Sequence, residues 1–240
     1  MNKILIFLAL LSFCAHAQII EVEYNCTLID EKDDYGDIKI EKLILQTSNS
    51  ESLLKRTERD TIFETITKGV FESNTSSESV YEIIEYKDLV NKVYFFKAPY
   101  IRKTVKDDQY KISWNILSET KTILNYQCQR AICQFRGRDY IVYFTSEIPI
   151  PNGPFKFDGL PGLILEVLSL DEMVKIKATS VALKNEHDIK NTFENNKTIN
   201  WDDFQKEYKK VFNRVVNSMS DLDSEIIIPN RAIEFYITTD

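Results

Sequence analysis

Glu147-Ile148-Pro149-Ile150-Pro151-Asn152-Gly153-Pro154-Phe155-Lys156-Phe157-Asp158-Gly159-Leu160-Pro161-Gly162-Leu163-Ile164 holds four of the chain's six prolines and three of its six glycines. Proline fixes φ and removes a donor, while glycine reaches positive φ and lets other backbone come close. A chain so poor in both elsewhere needs a specific rigid double turn here, between two strands. The turn comprises Pro154, Gly159, Leu160, Pro161, Gly162, Leu163 and Ile164, with Leu160, Leu163 and Ile164 anchoring it in the core. Gly159 and Gly162 are read as positions of positive φ, where a β-branched residue is poorly tolerated. Phe155 and Phe157 alternate, so an extended backbone puts both on one side, facing either the core or a ligand.

Working outward, short apolar runs recur on both sides of this stretch. Residues 19–29 alternate through Ile20, Val22, Tyr24, Cys26 and Leu28, and 38–47 follow after the turn Asp33-Asp34-Tyr35-Gly36-Asp37. Residues 50–79 are polar, and Glu72 to Ser79 read as a flexible loop. Further strands are expected at 80–86, 92–97, 101–105, 111–116, 126–134, 139–145, 163–168 and 173–182. Arg136-Gly137-Arg138 is a turn between two of them. One segment breaks the pattern: Asn200 is an N-cap, followed by Trp201, Phe204, Tyr208, Val211, Phe212, Val215 and Met219 at helical spacing. The expected fold is therefore mainly β (α+β), a curved antiparallel sheet or half-barrel packed with one C-terminal amphipathic helix over about 200–219. Ile226 to Pro229 and Ile233 to Ile237 read as a final strand or an extended tail.

The ends and the composition narrow the function. Met1-Asn2-Lys3, the apolar run Ile4 to Phe13 and Ala15-His16-Ala17 read as a signal peptide over 1–17. Removing 17 of 240 residues leaves a single domain of 223, residues 18–240, exported to the periplasm or the extracellular space. No later run approaches the about 18 apolar residues of a membrane span. The mature chain would carry 29 basic against 37 acidic residues, a balance that disfavours nucleic acid as a partner. It would also keep one histidine, His187, in a polar stretch. That excludes the usual zinc ligand sets and leaves no support for a Ser-His-Asp site, so no cofactor, metal or catalytic residue is expected.

Cys26, Cys128 and Cys133 remain after the leader. In an oxidising compartment they suggest one disulfide, Cys26 with Cys128 or Cys133, because the two cysteines five apart on a strand face opposite sides. The alternative is three small buried side chains.

The pattern Trp114, Ile116, Glu119, Lys121, Ile123, Tyr126, Cys128, Ala131 continues through Phe135-Arg136-Gly137-Arg138, Tyr140 and Phe144-Thr145 into the hexapeptide Gly159-Leu160-Pro161-Gly162-Leu163-Ile164. It resembles the GLPGLI family of secreted or envelope proteins of Bacteroidetes-type bacteria, over a core of about 110–170. Tyr143 stands where some members have Trp. The resemblance implies an exported chain and supplies no activity, cofactor or catalytic residue. Its members' occurrence beside outer-membrane transport receptors hints at envelope traffic.

Three functions are weighed. The first is a non-enzymatic envelope protein holding a lipid or other apolar or amphipathic ligand in its curved sheet. The second is an interaction module docking on an envelope protein of a transport or secretion system. The third is a hydrolase working through carboxylates such as Glu147, Asp158 and Glu166. The first is preferred, and no enzyme is expected. Phe155, Phe157, Asp158, Arg136 and Arg138 are the candidate ligand or partner contacts, the arginines as a clamp for carboxylate or phosphate.

Overall fold

The structure, a computed structural model, describes residues 19–29, 38–58, 81–98, 101–184, 188–219 and 233–236. The chain is mainly β. Its first six strands are β1 (Ile19–Ile29), β2 (Ile38–Thr47), β3 (Glu51–Glu58), β4 (Tyr81–Asp88), β5 (Val93–Lys97) and β6 (Thr104–Asp107). The second run is β7 (Asn115–Ile123), β8 (Tyr126–Phe135), β9 (Arg138–Thr145), β10 (Leu163–Ser169) and β11 (Val174–Lys184). A short β12 (Thr198–Asn200) leads into the helix α1 (Trp201–Met219). All twelve strands form one sheet in the order β12-β6-β5-β4-β3-β2-β1-β11-β10-β9-β8-β7. Each pair is antiparallel except β12 with β6.

Two meanders thus meet at the β1–β11 pair, and the sheet is open, with β12 and β7 as its edges. Chain connectivity then dictates curvature. Strands β6 and β7 are consecutive in sequence yet ten places apart in the sheet. At about 4.8 Å per strand a flat sheet would hold them about 48 Å apart. Residues 108–114 join them, and Asp107 to Asn115 fully extended spans at most about 28 Å. The sheet must curl until its two ends approach, which is the half-barrel expected from sequence.

Local chemistry explains the hairpins. Leu124 and Asn125, both at positive φ, close β7 onto β8 with Ile123 facing Tyr126. Arg136 (φ 43°) and Gly137 (φ 91°) do the same between β8 and β9. Such two-residue loops with both φ positive match the right-handed strand twist. The large core contains Val22, Tyr24 and Cys26 of β1, Cys128, Ala131 and Cys133 of β8, and Tyr140, Val142 and Phe144 of β9. A smaller cluster of Ile19, Leu53, Tyr86, Ile189 and Phe193 lies apart from it. Neighbours Leu53 and Leu54 belong to different clusters, so β3 is covered on both faces.

Sequence patterning located β1, β2, β4, β5, β8, β9, β10 and β11, and missed or displaced others. Strand β3 (ESLLKRTE) lies in the stretch 50–79 read only as polar, where charged Arg56 is mostly sheltered and paired with Glu85. The strand expected at 111–116 lies instead at Asn115–Ile123, since residues 108–114 make the crossing. Helix α1 begins as expected: Asn200 Oδ1 accepts the Asp203 amide at 2.8 Å, and Trp201 and Phe204 are buried. No helix among the described residues is long and apolar enough to cross a membrane. The leader 1–17, the turn at 33–37, the loop 72–79, His187 and Ile226 to Pro229 lie outside the described residues; the described 233–236 is not a strand.

Strands β9 and β10 are neighbours, Thr145 facing Leu163, and the intervening 146–162 is the proline- and glycine-rich segment. It forms no simple double turn. Three i→i+2 hydrogen bonds of 2.8 Å, Ile150 N to Ile148 O, Asn152 N to Ile150 O and Gly162 N to Leu160 O, each straddle a proline. Proline's fixed φ matches the inverse γ-turn, which explains Pro149, Pro151 and Pro161. Pro154, Leu160, Leu163 and Ile164 are buried with it. The two glycines differ in their reason. Gly159 has φ 89°, as expected. Gly162 has no positive φ; a Cβ there would stand 2.0 Å from the Thr145 carbonyl oxygen, so strand β9 passes too close for any side chain.

No disulfide joins Cys26, Cys128 and Cys133; all three are buried thiols. Strands β11, β10 and β9 lie between Cys26 on β1 and the other two on β8, whereas a bridge needs Cα atoms within about 7 Å. Burial pushes the Cys128 thiol up to about 11 and that of Cys133 to about 12, keeping both protonated and unreactive.

Two outcomes follow from these contacts. Gly162→Ala should destabilise by about 3 kcal/mol or more through its clash with backbone. Gly159→Ala, with 3.8 Å to Trp114 Nε1, should cost only the about 1–2 kcal/mol of a left-handed residue; denaturant melts of both would show that order. Alkylation after denaturation without reductant should label Cys26, Cys128 and Cys133 together in intact-mass spectra, and native protein should resist.

Candidate functional site

The segment 146–162 folds into the concave side of the sheet, and charged side chains follow it there. Lys87 on β4 is fully buried; its Nζ donates to Asn152 Oδ1 at 2.7 Å and to the carbonyls of Gly153 (3.3 Å) and Phe157 (3.4 Å). Asn152 in turn donates to Thr47 Oγ1 at 2.8 Å. The Asp158 carboxylate accepts from Tyr110 (2.8 Å) and from half-exposed Lys92 (2.9 Å), with Lys87 Nζ 4.0 Å away. Trp114 Nε1 caps the Asp158 carbonyl at 2.8 Å. Tyr110 and Trp114 belong to the crossing 108–114, so this network ties that crossing to the segment.

Burial is the larger influence on Lys87 and lowers its pKa to about 8 against the attraction of Asp158. Tyr110 is pushed far up, first by burial and then by Asp158. The phenol therefore stays a donor to the carboxylate.

A second network sits below α1. Asp107, at the end of β6 and wholly buried, takes two bonds from Arg136 (Nη1 2.7 Å, Nη2 3.0 Å) and one ion pair from Lys156 at 2.7 Å. Glu234 accepts from Arg136 Nη1 at 2.6 Å and from Lys156. The Trp201 ring lies 3.7 Å from the Arg136 guanidinium carbon and 4.3 Å from Lys156 Nζ. Burial opposes the charge on Asp107, and Lys156 and Arg136 outweigh it, so its carboxyl is held below the usual range. A third network joins Arg56 to Glu85 (2.7 Å) and Glu41 (3.5 Å), with Tyr94 donating to Glu85.

These placements decide the residues singled out from sequence. Arg136 and Arg138 do not form one clamp: Arg138 is buried against Asp171 at 2.8 Å and lies under Phe235. Phe155 and Phe157 part company because Phe155 has φ 51° and the backbone is not extended. Phe155 meets Arg56, 5.5 Å from its ring centre, while Phe157 packs edge-on against Tyr140 at 4.8 Å. Asp158 is buried among polar partners, and of these Lys92 is half-exposed. Glu147 is exposed and accepts the Gln127 amide, and Glu166 is buried against Lys121, so the three carboxylates do not share one set of partners.

Sequence reading passed over Lys87, Asp107, Tyr110, Lys156 and Glu234. The available signal was a charge at a strand position of inward parity, such as Lys87 two places after Glu85 on β4. Chemically, the interior supplies fixed cations, ionised carboxylates and one lysine near neutrality. Among the described residues no three His, Cys, Asp or Glu side chains converge as a metal site needs.

Lys87 yields a pH signature. Its folded pKa of about 8 lies below the ordinary 10.5, so between these values the unfolded chain binds more protons and stability rises with pH. Lys87→Met removes that rise. Its destabilisation should grow by about 1 kcal/mol from pH 7 to pH 9 in paired denaturant melts.

A family profile described as "N-glycanase peptide, N-terminal domain" matches residues 63–209. No curated protein matches the chain. Two solved structures of PNGF-II resemble it. One, in space group P21, gives a TM-score of 0.52 at 18% identity over 81% of this chain and 33% of that one. The other, in C2, gives 0.49 at 19% over 77% and 31%. The chain spans about a third of the length of those chains, and at this identity the P21 form speaks for the fold alone.

The family match overturns the resemblance to GLPGLI proteins. The hexapeptide closed the pattern that carried that resemblance, and its residues answer to local packing: Gly162 to the Thr145 carbonyl, Pro161 to a γ-turn, Leu160 to the core. A family of N-glycanases also overturns the expectation of a non-enzymatic envelope protein, whether carrier or docking module.

Proposed function

The chain belongs to the family of N-glycanase N-terminal domains, and on that premise we propose that it takes part in the hydrolytic release of N-linked glycans from glycoproteins or glycopeptides. The match over 63–209 carries this reading. That span contains Lys87, Lys92, Tyr110, Trp114, Asn152 and Asp158, the network that reaches solvent through half-exposed Lys92. Asp158 is the carboxylate proposed to meet substrate. It is a charged acceptor steadied by Tyr110 and bordered by half-exposed Lys92 and partly buried Trp114. Hydroxyls and amides of a glycopeptide are matched by such a group, since a carboxylate accepts and an ammonium donates. The leader-like residues 1–17 support a protein that meets its substrates after export.

The test is incubation of the purified chain with a peptide bearing one N-glycan, followed by mass spectrometry. Loss of the glycan mass is expected, and Lys92→Ala should slow it several-fold, with a fall in Tm because Lys92 pairs with the buried Asp158 carboxylate at 2.9 Å. Binding without release would move the bond-breaking step out of this chain. Absence of both binding and release would overturn the proposal.

A further inference from the structure

Arg136 and Lys156 hold two carboxylates that reach them by different routes. Asp107 is part of β6, fully buried, and takes both ends of the guanidinium. Glu234 comes from 233–236, which is not part of the sheet and lies 98 residues beyond Arg136. Its two oxygens are used separately: Oε2 takes Arg136 Nη1 and Oε1 takes Lys156 Nζ. The slot therefore presents one donor to each oxygen of a planar carboxylate, beneath the Trp201 ring and beside Tyr94 and Phe96, whose ring centres lie 5.4 and 5.1 Å from Lys156 Nζ. Without Glu234, the two cations would face Asp107 alone among their ion-pair partners in the described residues. A buried charge left without a partner is strongly unfavourable, so the slot demands one further anion.

We propose that the slot between Arg136 and Lys156 is a carboxylate-binding site that the chain's own Glu234 occupies, and that it takes the carboxylate group of a ligand when Glu234 is absent or withdrawn. A group with one negative charge and two coplanar oxygens fits; halide offers only a single point of contact. Among the described residues, 233–236 is held by hydrogen bonds and by ring packing, the Gln205 amide donating to the Tyr236 carbonyl at 3.3 Å and Arg138 lying against the Phe235 ring. Phe235 N donates to the Arg136 carbonyl at 3.0 Å, Tyr140 donates to the Ile233 carbonyl, and Tyr236 packs among Trp201, Phe204 and Tyr208. A tethered side chain competes for its own slot at high effective concentration, which keeps free ligand out of the intact protein.

The experiment is chemical rescue of Glu234→Ala with sodium acetate in the full chain. The variant should melt at lower temperature than the parent, and acetate should restore at least half of the loss, saturating on the order of millimolar concentration. Sodium chloride at equal ionic strength should not. Glu234→Gln, which fills the space without the charge, should respond several-fold less, and the parent should hardly respond. If Glu234→Ala is recovered unfolded, refolding in acetate but not in chloride is the same result. Equal effects of acetate and chloride on Glu234→Ala, or a variant as stable as the parent, would overturn the proposal.

Discussion

Seven residues, 108–114, link two strands at nearly opposite ends of a twelve-stranded sheet, and that short reach governs the rest of the molecule. A flat sheet is excluded by chain length alone. Curling brings β6 toward the turn between β8 and β9, so that Asp107 meets Arg136. The same curl gives the sheet a concave side, and the chain fills it with its own segment 146–162. Tyr110 and Trp114, carried by the crossing itself, then bind Asp158 within that segment. Curvature, plug and ionic interior are consequences of one connection.

Ion pairs inside such a bowl are an expensive way to fill it. Each charge loses hydration, and an apolar replacement of equal shape is often as stable. What the pairs add here is uniqueness of arrangement. Asn152 is specified by Lys87 and Thr47, Asp107 by Arg136 and Lys156, and Glu85 by Arg56 and Tyr94. An apolar plug could slide in its bowl, whereas one that must match these donors and acceptors has a single seat. The seat also keeps the half-exposed Lys92 against the Asp158 carboxylate.

Family membership and local motif diverge in this chain for a physical reason. A six-residue turn with a buried leucine and a glycine pressed on backbone satisfies packing rules that operate in any protein needing that turn. The profile of the N-glycanase domains extends over 63–209 and so includes the crossing, the plug and the helix start together. Agreement across elements far apart in sequence and joined in space is the more discriminating signal.

The sequence by itself determined the mainly β class, the first hairpin strands, the N-cap at Asn200 and the special character of 147–164. These depend on period-two alternation, on capping chemistry and on the limited φ of proline, all readable within a few residues. Only the tertiary structure decided that Phe155 and Phe157 diverge, that Gly162 serves close approach instead of positive φ, and that the cysteines stand too many strands apart to bridge. It alone brought Lys87 to Asn152 and Glu234 to Arg136, 65 and 98 residues away. Such partners are chosen by how the sheet curls, and curvature is a property of strand order, which no local pattern of residues encodes.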